Sequence, residues 1–164
     1  MRKILFITIL FSLIFAIGYV HGKDWAEEDF ISPIRYKGSI PIRKDKHGDG
    51  HFGAPRRGGR SHRGLDIYAP VGTSVRASKS GRAKVGYVKN GMGKYVIIHH
   101  ANGSATLYGH LSRTRIKNNQ KIRQRAIIGY VGKTGNAKSK DIDPHLHFEI
   151  RKRGRCVDPL LFIG

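Results

Sequence analysis

Two short clusters hold the residues best suited to chemistry. His62 and Asp66 stand in Ser-His-Arg-Gly-Leu-Asp, and His145 and His147 in Pro-His-Leu-His-Phe-Glu, with His110 between them in Tyr-Gly-His-Leu. His62, Asp66 and His147 would supply two imidazoles and one carboxylate, the ligand set of a catalytic zinc whose fourth position stays open to water. His110 and His145 are then surplus to the metal. A structural zinc site closes with a fourth protein ligand and needs no such surplus, whereas a hydrolytic site uses it to move protons.

Each cluster constrains its own local structure. His145 and His147 sit two apart in a β-type run, so both side chains leave the same strand face, which Glu149 shares. That geometry suits one ligand beside one base, or two ligands. The four-residue spacing of His62 and Asp66 would also align them on a helix, but Gly64 between them and Ile-Tyr-Ala-Pro after them argue for a loop running into a strand. Taken singly, His62 reads as a loop histidine, Asp66 as a turn or cap carboxylate and His110 as a strand-end histidine. Taken together, the clusters complete a three-ligand set. His99 and His100, closing a strand before a turn, are assigned no chemistry, and His47 and His51 read as mobile surface histidines rather than as transient caps on a metal.

The elements that must position these residues read as short strands between turns. Leu65 to Tyr68, Gly81 to Lys89, Lys94 to His100, Ala105 to Leu111, Ala126 to Val131 and His145 to Ile150 are the expected strands. Asn90-Gly91-Met92-Gly93 marks one hairpin, and Asn102-Gly103 a second, for which a type I′ turn is expected. No stretch sustains a 3.6-residue apolar period, and 21 glycines suit tight turns better than helices. The fold class is therefore mainly β, with no internal repeat of solenoid or propeller length.

At 164 residues the chain suits one domain with a single core. Arg2 and Lys3 precede an apolar run from Ile4 to Val20, and Val20-His21-Gly22 offers small residues at a cleavage site. Residues 1–22 are thus expected to be a signal peptide, with an uncleaved anchor as the alternative. Either form exports the domain, to a periplasmic, wall-associated or secreted location. Residues 23–50, with Pro33 and Pro41, are expected to be a partly irregular leader, and 51–164 the functional domain. Cys156 is the only cysteine, so no internal disulfide is available, and its default reading is a small buried hydrophobe. The net charge of +20 predicts attraction to anionic wall polymers or membrane surfaces, and export makes nucleic acid the least suitable polyanion.

From about Phe52 to Pro159 the chain resembles the LytM/lysostaphin-type zinc endopeptidases that cut peptidoglycan peptides. The resemblance rests on Phe-Gly-x-x-Arg at 52–56, His-x-Gly-Leu-Asp at 62–66, Ala-Pro-x-Gly-Thr at 69–73, Tyr-x-His-Leu at 108–111, Ile-Gly-x-Val-Gly-x-Thr-Gly at 128–135 and Pro-His-Leu-His-Phe-Glu at 144–149, in that order. It implies an antiparallel, sandwich-like β-sheet domain with an open groove and one zinc on its floor. It further implies His62, Asp66 and His147 as metal ligands, His110 and His145 as catalytic histidines, and peptidoglycan peptides as the partner. Two departures stand out. Asn119 and Arg125 occupy positions where the family usually has turn glycines, and the loop from Asn136 to Asp143 is longer and more charged than is usual, with Asp143 in a glycine position.

Zinc would lower the pKa of its bound water towards about 7. Neutral His145 would take the water's proton and return it to the leaving amine, and His110, as a donor, would steady the oxyanion, although the two roles are interchangeable at this level. Tyr108 is expected on the face of His110, and Glu149 as an outer partner rather than a base. Two rivals remain: a non-catalytic regulator of another wall hydrolase on the same scaffold, and a basic polyanion-binding module that would hold no zinc.

Overall fold

The computed structural model describes residues 29–163. The expected signal segment and the acids Asp24, Glu27 and Glu28 lie outside the described residues. No helix among the described residues is long and apolar enough to cross a membrane.

Two small hairpins come first, β1 (Lys44–Asp45) with β2 (Gly48–Asp49) and β3 (Pro55–Arg56) with β4 (Arg60–Ser61). The main sheet follows: β5 (Leu65–Tyr68), β6 (Ser74–Arg76), β7 (Gly81–Val88), β8 (Gly93–His99), β9 (Ala105–Thr114), β10 (Lys121–Ile122), β11 (Ile127–Val131), β12 (His145–Lys152) and β13 (Arg155–Val157). Its pairs are antiparallel throughout. A 3₁₀ turn (Gly135–Lys138) and a one-turn helix α1 (Leu160–Ile163) complete the described elements. The expected mainly β class holds, and all six expected strands are present.

The long strand β9 forks the sheet. One edge pairs β8 along its length; the other pairs β12 up to Gly109 and β11 from Leu111 onward. The change of partner falls at His110, which has φ +60°. Opposite it the register with β8 slips by one residue, a β-bulge. Left-handed backbone costs a non-glycine residue about 1–2 kcal/mol. Here it diverts His110 out of the strand's alternation while Tyr108 and Leu111 on either side both enter the core. The expectation that Tyr108 shares His110's face is therefore corrected: its ring packs on Phe148 and its hydroxyl bonds the Ser78 amide and the Thr106 hydroxyl.

The two arms enclose one core. Leu65 and Ile67 of β5 and Leu146, Phe148 and Ile150 of β12 meet Val75, Ile128 and Val131 of the other arm, with Val96 and Ile98 between. Residues of the expected leader join them. Its described residues, 29–50, carry little regular structure beyond β1–β2 and a bridge from Ile42 to Ile67, yet Ile34 is buried in the core.

Turn chemistry differs from expectation at one hairpin. Asn102 keeps a negative φ and only Gly103 is left-handed (φ +74°), so the turn is not type I′. The Asn102 side chain instead accepts from the Ser104 amide and hydroxyl, a bond that stabilises the alternative. Asn119 and Arg125, standing where glycine is usual, both adopt left-handed φ (+62° and +68°).

Candidate metal centre

Strand pairing builds the site. In β5, Leu65 and Ile67 face the core, which turns Asp66 to the opposite face. In β12, Leu146, Phe148 and Ile150 do the same for His145, His147 and Glu149. Asp66 lies directly across from His147, and Gly109, the residue before His110, pairs His147 from the other side. His62 enters from the loop between β4 and β5, as Gly64 and the residues after Asp66 predicted. Gly64 allows this approach, because a Cβ there would collide with the Phe148 carbonyl and lie 3.0 Å from His147 Cε1.

The three expected ligands converge. His147 Nδ1 is 2.8 Å from Asp66 Oδ1, His62 Nε2 is 3.1 Å from the same oxygen, and the two ring nitrogens are 3.0 Å apart. All three residues are buried. The remaining pair lies alongside, with ring centroids of His110 and His145 4.9 Å apart and His145 Nε2 3.9 Å from Asp66 Oδ1.

Backbone carbonyls fix which nitrogen of each ring faces the centre. A carbonyl only accepts, so each ring nitrogen bonded to one carries the proton. His62 Nδ1 donates to His51 O at 2.8 Å, His110 Nδ1 to Thr134 O at 2.9 Å and His145 Nδ1 to Asp143 O at 2.7 Å. Each neutral ring therefore presents a bare Nε2 lone pair inward. His147 is reversed: its Nε2 bonds Glu149 Oε1 at 3.2 Å and its Nδ1 faces the others. Glu149 is in turn held by Arg151, with 2.7 and 2.6 Å contacts, and Cys156 Sγ lies 3.5 Å away. Glu149 thus orients a candidate ligand, as outer carboxylates do in metal sites. His47 lines the groove, His51 contributes its carbonyl, and His100 is bonded to Ser80 and Thr106 away from the site.

These residues fit a divalent metal. Two imidazole nitrogens and one carboxylate oxygen converge within 3.1 Å of one another, a donor set that suits zinc. Burial opposes the charge of His147, but hydrogen bonds to Asp66 and Glu149 push its pKa up to about 9. Burial alone would raise the Asp66 carboxyl, yet the bond from His147 and its charge hold it well below the usual carboxylate range. Burial and the charges of His145 and His147 push His110 down to about 3. His145 is lowered as well, by burial against the opposing pull of Asp66.

Above the centre lies a groove of about 370 Å³ whose rim includes Arg43, His47, Arg56, Arg60, Asn90 and Ile142. The β7–β8 hairpin tip closes one wall, where Met92 O accepts from the His110 amide at 2.7 Å. Gly135 (φ +65°) permits this contact, since a Cβ would strike Gly91 O and Gly93 N. The charged 136–143 loop forms another wall and delivers the Asp143 carbonyl to His145. It is tied to the N-terminal hairpin by Asp143 N–H to Asp45 at 3.0 Å and by Lys46 to Asp141 at 3.0 Å. Arg43 reaches Asp66 from that same hairpin region, a contact for which the sequence carries no motif.

Known proteins share this architecture. DD-carboxypeptidase/endopeptidase Mpg of Neisseria meningitidis is 44% identical over 102 residues, covering 62% of this chain and 22% of Mpg. The chain thus spans about a fifth of the length of the curated relatives it matches. A zinc-containing peptidase from Vibrio cholerae superposes with a TM-score of 0.63 at 28% identity, over 80% of this chain and 39% of that one. The catalytic domain of lysostaphin from Staphylococcus simulans superposes with a TM-score of 0.58 at 30% identity, over 73% and 90%. Residues 60–159 match the model of Peptidase family M23. That span includes every histidine and the carboxylate of the centre, and on it the chain belongs to Peptidase family M23.

Proposed function

We propose that the protein is an exported zinc metalloendopeptidase that hydrolyses peptide bonds of bacterial peptidoglycan. The observation that carries this reading is the pairing of a buried His62–Asp66–His147 trio with two further histidines whose inward nitrogens are bare. Relatives named for DD-endopeptidase activity support the substrate class.

His62, Asp66 and His147 would hold the metal, which when bound supplies a water with pKa near 7 and a Lewis acid for the scissile carbonyl. His145 carries the proton. Its Nε2, a lone pair 3.9 Å from Asp66 Oδ1, would take the proton of the attacking water and hand it on to the leaving amine as the peptide C–N bond breaks. The donor role expected of His110 requires its protonated form, which burial disfavours. In its neutral form, His110 Nε2 accepts instead, and so orients an attacking water or a substrate N–H. Glu149 keeps His147 turned so that Nδ1 faces inward.

Digestion of purified walls, followed by mass spectrometry of the released fragments, tests the reading. New amine and carboxyl ends within wall peptides are expected, with none after chelation and recovery on adding zinc. Fragments that do not depend on metal, or no cleavage at all, would overturn it.

The basic balance predicts docking to anionic walls that raised salt weakens, because exposed charges are screened beyond about 8 Å at physiological ionic strength. Arg151, expected among the solvated docking residues with Lys152, Arg153 and Arg155, is instead engaged by Glu149, and the Lys152 ammonium lies over the Phe162 ring. Neutralising Arg153 and Arg155 is therefore the clean variant. Wall sedimentation is expected to fall with salt in the parent and less steeply in that variant, while turnover of a short soluble peptide changes little.

A further inference from the structure

Asp66 turns only one of its two oxygens toward the histidines. Oδ1 faces His147, His62 and His145, whereas Oδ2 is taken by two guanidinium groups, Arg43 Nη2 at 3.0 Å and Arg56 Nη2 at 3.3 Å. Arg43 is buried and forked between two carboxylates, its Nη1 lying 2.6 Å from Asp45. The backbone pins it there as well. The Arg43 amide donates to Asp66 O at 2.9 Å, the Gly50 amide to Arg43 O at 2.8 Å and the Asp66 amide to Gly50 O at 2.8 Å. A Cβ at Gly50 would lie 2.7 Å from Arg43 O and 2.9 Å from Asp66 O, so glycine lets this ring close. Arg43 lies before the family-matched span of 60–159 and before the resembling stretch that starts at Phe52, whereas Arg56 ends the Phe-Gly-x-x-Arg motif.

A free carboxylate can grip a divalent cation with one oxygen or with both. Two guanidiniums on Oδ2 leave only Oδ1. They also place positive charge beside the metal position, which lowers cation affinity, so they do not serve tight binding as such. We propose that Arg43, supported by Arg56, is a positioning residue that restricts Asp66 to single-oxygen coordination and so preserves the open metal position that hydrolysis needs. This inference rests on the zinc reading above.

Cobalt(II) is the probe, because its visible absorption weakens when coordination rises from four to five or six. Parent, Arg43→Met, Arg43→Lys and Arg56→Met proteins are loaded with cobalt, zinc affinity is measured by competition with a chromogenic chelator, and turnover is followed on a soluble peptide. In Arg43→Met the cobalt band is expected to weaken as Oδ2 joins the metal. Zinc affinity stays within about 10-fold of the parent or tightens, and kcat falls about 10- to 100-fold, the usual range for loss of an orienting partner. Arg56→Met should move all three readouts the same way by less. Arg43→Lys, which keeps the charge but cannot fork planar bonds to two carboxylates, should fall between Met and parent. Because Arg56 is more exposed than Arg43, its variant carries the same test should Arg43→Met not fold. An unchanged cobalt spectrum in the folded variants, or zinc affinity falling in step with turnover, would overturn the inference. A parent protein that binds neither metal would instead remove the zinc reading, and the inference with it.

Discussion

Zinc is expected to leave the His147→Ala protein during dialysis against a mild chelator, while the parent retains one ion per chain. The substitution removes the inward Nδ1 from a trio whose atoms lie 2.8–3.1 Å apart, while Glu149 keeps its contacts with Arg151. The loss of affinity should exceed the roughly 100-fold that removal of an orienting neighbour alone costs, and wall hydrolysis should vanish with the metal. His62→Ala is expected to lose zinc in the same way. Comparing the two separates ligation from folding, because the rings are braced by different partners, His62 by the His51 carbonyl and His147 by Glu149. Stoichiometric zinc in dialysed His147→Ala would sink the ligand assignment.

Substitution of His145 or His110 should divide catalysis from metal binding. Neither ring shares the trio's contacts at hydrogen-bonding distance, His145 Nε2 being 3.9 Å from Asp66 Oδ1. Both variants should therefore hold zinc as the parent does. His145→Ala is expected to lose at least about 10²-fold in kcat, the usual contribution of a positioned acid–base group. His110→Ala should lose activity too, and removing its imidazole should leave the β9–β12 pairing intact, which circular dichroism would report. Near-parental hydrolysis by both variants would move the protein to the regulator reading, in which the scaffold binds walls without cutting them.

The chemistry-bearing residues were legible because two periodicities are local. Alternation along Pro-His-Leu-His-Phe-Glu places His145, His147 and Glu149 on one face, and Gly64 with the run after Asp66 marks a loop entering a strand; the strand pairing realises both. Tyr108 and His110 were misplaced by the same rule, since a bulge and a positive φ suspend alternation where β9 changes partner. Nothing within β9 signals that exchange, because it is imposed by the competing strands β11 and β12.

Charge shows the same division. Composition predicts a basic protein, but it cannot say that Arg151 serves Glu149 or that Arg43 and Arg56 converge on one oxygen of Asp66. Residue types and short-range spacing alone determined the mainly β class, the trio and the two spare histidines, because side-chain direction along a strand follows from backbone geometry. Which nitrogen of each ring faces the centre of the cluster, which way His110 turns, and how Asp66 is restrained were decided by tertiary structure. Each depends on a carbonyl, carboxylate or guanidinium brought in from a distant segment, and no local pattern encodes such a partner.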